Sequence, residues 1–150
     1  MLVRRSPRAP AALASAALAC ICAASALAAP TTILAGPWSP GQSGYGHARP
    51  GKIFNGGDPT GLLTHIHWTS WGGAMAIGAG TSDYVGPNQS VATGTEESAR
   101  VVAFHLGSCH GRRAYDAIEW YFPQHGDRFN AGEYIDPCTG TYYENGKPAP

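Results

Sequence analysis

The apolar positions of this chain fall into short alternating runs separated by Gly, Pro, Asn and Asp, a pattern of strands and turns. The richest run is Leu62-Leu63-Thr64-His65-Ile66-His67-Trp68-Thr69-Ser70-Trp71, closed by Gly72-Gly73. Side chains on a strand alternate with period 2, so Leu62, Ile66 and Trp68 share one face with Thr64 and Ser70. Leu63, His65, His67, Thr69 and Trp71 share the other. The next run, Met75 to Thr81, sets Ala76, Gly78 and Gly80 against Met75, Ile77 and Ala79. Glycine at every second position bares the backbone, which predicts a large ring lying over it, with Trp68 or Trp71 the nearest. Together the two runs predict a β-hairpin at the heart of the core.

Arg100 to Gly107 predicts a further strand, with Val102, Phe104 and Leu106 on one face and Val101, Ala103 and His105 on the other. A polar turn over Gly107 to Arg113 follows. Ala114 to Phe122 then sets Ile118, Trp120 and Phe122 against Tyr115, Ala117, Glu119 and Tyr121, with Asp116 on the apolar side. The Tyr, Ile, Trp and Phe content and the following Pro123 favour a strand over a helix. Residues 29–51 read as a Gly/Pro-rich, partly mobile arm whose isolated Trp38 and Tyr45 are expected to dock on the domain. Lys52 to Asn55 reads as a short first strand, and residues after Phe122 as loop, with a disordered tail over 144–150. The expected fold is all-β, a small antiparallel sandwich or barrel with long loops, occupying 52–143.

Gly57-Asp58, His67-Trp68-Thr69-Ser70-Trp71-Gly72 and Ala76-x-Gly78-x-Gly80-Thr81 form a pattern that resembles small exported actinobacterial proteins with no assigned activity. The resemblance covers Ile53 to Phe122. It implies a secreted all-β domain and brings no catalytic residues with it. Some members carry cysteines soon after the Gly-Thr element. This chain has none over Tyr84 to Ser90, which implies a different disulfide layout.

The N-terminus changes what counts as the folding unit. Arg4, Arg5 and Arg8 precede an apolar, charge-free run from Ala11 to Leu27, and Ala26-Leu27-Ala28 supplies small residues for a signal peptidase. Residues 1–28 are therefore read as a signal peptide cut after Ala28 or Ala29. An uncleaved anchor is the alternative, weakened by the run's alanine content, and a lipoprotein reading through Cys20 has its leucine one place off. Without residues 1–28 the chain has 122 residues and a formal net charge of −3. No polybasic surface remains, so neither nucleic acid nor anionic lipid is indicated, and no later run is long enough to span a membrane. The expected partner is an extracellular ligand or a cell-envelope component.

Cys20 and Cys22 lie in the signal, leaving Cys109 and Cys138 as the one possible pair, expected to be a structural disulfide in an oxidising compartment. His65-x-His67 is the sharpest candidate for metal chemistry, since two imidazoles at i and i+2 on a strand point the same way. A zinc site would need a third ligand from His105, His110, His125, Asp58 or Asp116, and no HExxH-type pattern supplies one. Asp116 and Glu119, the acids of the last predicted strand, fall on opposite faces at odd spacing, which argues against a glycosidase pair. Ser70 lacks a Gly-x-Ser-x-Gly context, and Gly78-x-Gly80 lacks the third glycine and helix of a phosphate loop. An aromatic platform is the remaining class, with Trp71, Tyr115 and Tyr121 as the binding candidates on faces opposite the best core residues. The balance favours a secreted, non-enzymatic binding or structural domain without a cofactor. The alternative is a metal-dependent extracellular hydrolase using zinc on His65 and His67.

Overall fold

The computed structural model describes residues 29–150, so the expected signal peptide lies outside the described residues. The fold is all-β, a single curled sheet forming a half-barrel. Its strands are β1 (Ile33–Leu34), β2 (Ile53–Phe54), β3 (Leu62–Trp68), β4 (Ala76–Tyr84), β5 (Thr95–Cys109), β6 (Arg112–Tyr121), β7 (Tyr134–Asp136), β8 (Thr141–Glu144) and β9 (Lys147–Pro148). From β2 to β9 they pair in sequence order and antiparallel, while β1 lies parallel to the start of β6. No helix among the described residues is long and apolar enough to cross a membrane.

The expected central hairpin is β3–β4, but the faces of β3 are not those of strict alternation. Thr64 pairs with Thr81 and His67 with Ala79, three steps on β3 against two on β4. The extra residue makes a β-bulge, with His65 in the left-handed region at φ 52°. Leu63 and Ile66 therefore both turn into the core, at 0% and 7% exposure. Gly80 makes room for the bulge: a Cβ there would sit 2.5 Å from the Thr64 carbonyl oxygen. The ring expected over the glycines is Trp68, whose Cε3 would lie 3.1 Å from a Cβ at Gly78, whereas Ile66 and Leu63 cover Gly80.

A second change of face runs across β5 and β6 together. Phe104 pairs with Ala117 and Leu106 with Tyr115, so the register holds on both sides of the His105–Asp116 step. His105 takes φ 51°. Before this step Val101 and Ala103 of β5 point into the main core, and after it Leu106 does; on β6 both Ile118 and Tyr115 do. Val102, Phe104 and Ala117 instead form a small outer cluster with Tyr121, Phe129 and Tyr134. The continuous alternation expected for both strands is thus corrected at His105 and Asp116.

The arm is part of the fold rather than a mobile appendage. Leu34 is fully buried and Tyr45 is 3% exposed, and Trp38 docks edge-on against Tyr45 with centroids 5.0 Å apart. The C-terminal region is likewise sheet where loop and a disordered tail were expected: Ile135 pairs with Ile118, Tyr134 with Tyr143, and Lys147 with Glu144. Cys109 and Cys138 are disulfide-bonded, Cα to Cα 5.8 Å, against Ile33, Ala35 and Ala114.

Candidate functional site

The three aromatics proposed as a platform do not form one. Tyr115 is wholly buried because the change of face at Asp116 turns it inward. Its hydroxyl donates to the Gly73 carbonyl (2.9 Å) and accepts from the Gly72 N–H (2.7 Å). Trp71 is half-buried, edge-on to Trp68 and to Tyr115 at centroid distances of 4.6 and 5.3 Å, and its Nε1–H donates to the Thr32 carbonyl. Tyr121 belongs to the separate outer cluster.

The bulge removes the premise that put His65 and His67 on one side of a regular strand. His65 Nδ1 lies 3.1 Å from the hydroxyls of Thr64 and Thr81, and both rings are exposed. No group of three ligand atoms within 4.8 Å includes either histidine among the described residues; the one such group is Cys109, His110 and Cys138. Its two sulfurs are bonded to each other, so they offer no thiolate.

What curling the sheet does create is a cleft. A cavity of about 380 Å³ is lined by residues that lie far apart in the strand order. One wall is Asn55, Thr60 and Gly61; the other is Ile118, Glu119 and Trp120 of β6 with Glu133, Tyr134, Ile135 and Tyr142. The polar groups are held by their neighbours. The buried Tyr45 hydroxyl donates to Asn55 Oδ1, leaving the amide NH₂ of Asn55 for other partners. Asp58 accepts from the Thr60 N–H at 2.9 Å and caps the 3₁₀ turn Pro59–Gly61. Tyr134 stacks on Tyr143, centroids 4.5 Å apart, while Tyr142 is 45% exposed.

Glu119 is the electrostatic focus of the cleft. Burial pushes its carboxyl up to about 7, with help from the nearby Glu133 and Asp127 charges and against the hydrogen bond from the Asn130 N–H. A raised carboxyl pKa means that the folded state holds its proton longer than the unfolded state. Stability then falls as pH rises from the ordinary value of 4.5 through about 7. Glu119→Gln removes that cost and keeps an acceptor for Asn130. The full shift would be worth ~3 kcal/mol, and solvent screening of this half-buried group reduces the expected gain to about 1 kcal/mol at pH 8. At pH 4 the gain should vanish. Chemical denaturation at both pH values measures this, and equal effects at the two would refute it.

Asp116, at the step where both strands change face, has a buried Oδ1 without a hydrogen-bond partner among the described residues. Its pKa is raised by burial and by Asp136, and lowered by His105. A Cβ at Gly107 would come within 2.7 Å of Asp116 Oδ2, so glycine makes room for this carboxylate.

Of the cleft residues, the sequence pattern places Ile118 and Trp120 on the apolar face of a strand and names Glu119 only as an acid unsuited to pair with Asp116. Asn55, Thr60, Glu133 and Tyr142 lie in stretches read as strand end, turn or loop, and no spacing in the chain links them. No family model, curated protein or solved structure matches the chain.

Proposed function

We propose that the chain is an exported, non-enzymatic binding domain, and that its ligand is a glycan of the cell envelope seated in the Glu119–Tyr142 cleft. The observation that carries this reading is the exposed Tyr142 ring among Trp120, Tyr134, Asn55 and Thr60 in a concave site. Sugar rings offer flat C–H faces and a rim of hydroxyls, and such a lining meets both: aromatic faces for the one, amide, hydroxyl and carboxylate groups for the other. The disulfide supports a place in an oxidising compartment. The resemblance of the Trp-Thr-Ser-Trp and Ala-x-Gly-x-Gly-Thr elements to exported actinobacterial proteins supports the same reading.

The test is retention of the secreted protein on insoluble bacterial peptidoglycan. Tyr142 is exposed, so Tyr142→Ala should leave the fold intact while weakening retention at least tenfold, about 1.4 kcal/mol. No retention, or retention indifferent to Tyr142→Ala, would remove the reading.

A further inference from the structure

A second pocket, of opposite charge, lies away from the glycan cleft where the chain enters the fold. Its volume is about 530 Å³, and its walls include Thr32, Arg49, Trp71, Gly72 and Arg113. It shares no lining residue with the Glu119 cleft.

The two arginines are unusual in a domain whose formal charge is −3 once residues 1–28 are removed. The one ion pair among the described residues joins His125 to Glu97, so neither Arg49 nor Arg113 is neutralised by a carboxylate. Arg113 is held in place: its Nε–H donates to Thr32 Oγ1 at 3.0 Å and one Nη–H to the Gly72 carbonyl at 3.4 Å. Those bonds leave guanidinium N–H groups over. Arg49 is exposed, sits at φ 49°, and its side chain makes no hydrogen bond among the described residues. Trp71 forms part of the wall, and its indole N–H is already satisfied by the Thr32 carbonyl.

We infer that this pocket binds a phosphate group, with Arg49 and Arg113 supplying the charge and Trp71 an apolar wall for the body that carries it. Guanidinium groups match the planar edges of an oxyanion by paired N–H donors, and two of them suit a dianion better than a single carboxylate. Ala29 and Pro30 also line the pocket. Cleavage after Ala28 or Ala29 therefore frees an α-amino group on the same wall and adds a further positive charge at neutral pH.

The experiment titrates the secreted protein with inorganic phosphate at fixed ionic strength, following tryptophan fluorescence. A saturable change is expected in the wild type, and Arg49→Gln should weaken it at least tenfold without moving the melting temperature. Tyr142→Ala should leave it unchanged, which separates this site from the glycan cleft. Sedimentation with phosphatidylglycerol vesicles, against phosphatidylcholine vesicles, then identifies the source. Retention lost in Arg49→Gln assigns the phosphate to a lipid headgroup; no retention, beside a positive phosphate titration, assigns it to a soluble or polymer-borne ester. The same response to chloride in place of phosphate, or one equal in Arg49→Gln, overturns the inference.

Discussion

Tyr115→Ala is expected to destabilise the domain by about 3–5 kcal/mol, the range for removing a large buried aromatic. The ring is fully buried in the main core and packs edge-on against Trp71. Its hydroxyl also satisfies two backbone groups, the Gly72 N–H and the Gly73 carbonyl, in the turn between β3 and β4. Alanine leaves a cavity beside Trp71 and strips the turn of both partners. Against a total margin of ~5–15 kcal/mol, this one change can unfold a domain of this size. Tyr115→Phe separates the two contributions, because it keeps the ring and loses only the hydroxyl, at an expected ~1–3 kcal/mol. Denaturant midpoints for the two variants give the comparison. If Tyr115→Ala unfolds at the wild-type midpoint, the ring is not part of the core; if Tyr115→Phe costs as much as alanine, the hydrogen bonds and not the packing hold this turn.

Tyr115 also marks where the sequence stops being readable. The strands β3, β4, β5 and β6 were legible because each carries a run of apolar residues long enough to show period 2. What alternation cannot carry is a local change of phase. His65 and His105 are non-glycine residues at positive φ, a region in which histidine is enriched but which no spacing along the chain marks. At each, the faces swap, and with them the status of Leu63, Leu106 and Tyr115. Glycines gave one usable hint: Gly80 sits opposite the β3 bulge, where backbone approaches to within the space of a Cβ. Gly78 seats the Trp68 ring, whereas Gly80 makes room for the Thr64 carbonyl.

The cleft was hidden for a different reason. Its lining comes from distant parts of the strand order: Asn55 and Thr60 beside β2 and β3, Glu119 on β6, and Glu133 and Tyr142 beside or on β7 and β8. Their proximity is a product of sheet curvature, which twist and bulges set and which no local pattern records. The strands that carry the far wall are also short, three residues in β7 and four in β8. A run of that length shows too little alternation to be told from loop. The Gly and Pro content of the arm implies mobility, yet Leu34 and Tyr45 anchor it, because they are among its most buried residues. By contrast, the disulfide needed no geometry at all, since only two cysteines follow residue 28.

Removing that disulfide, as Cys109→Ser with Cys138→Ser, is expected to lower stability by about 3–4 kcal/mol through the entropy of an open loop in the unfolded chain. The two cysteines are 29 positions apart, which sets that loop's length. The effect should also be uneven across the fold. Cys109 ends the long β5, while Cys138 follows β7, whose pairing with β6 runs through Ile118 and Ile135. The N–H groups of Cys138 and Thr139 both donate to Asp136 Oδ1, so the bond pins the turn that starts the β7–β8 hairpin. Without it, β7 to β9 rest on a short ladder and should open before the β3–β6 core does. Glu133, Ile135 and Tyr142, which form one wall of the cleft, lie on or next to these strands. On the proposed reading, glycan retention should therefore fail under conditions where the core remains folded. Hydrogen exchange on the double variant measures this: protection should drop first over 134–148 while Val101 to Phe104 keep theirs. Uniform loss of protection along the chain, or an unchanged denaturant midpoint, would show that the bond does not secure the cleft.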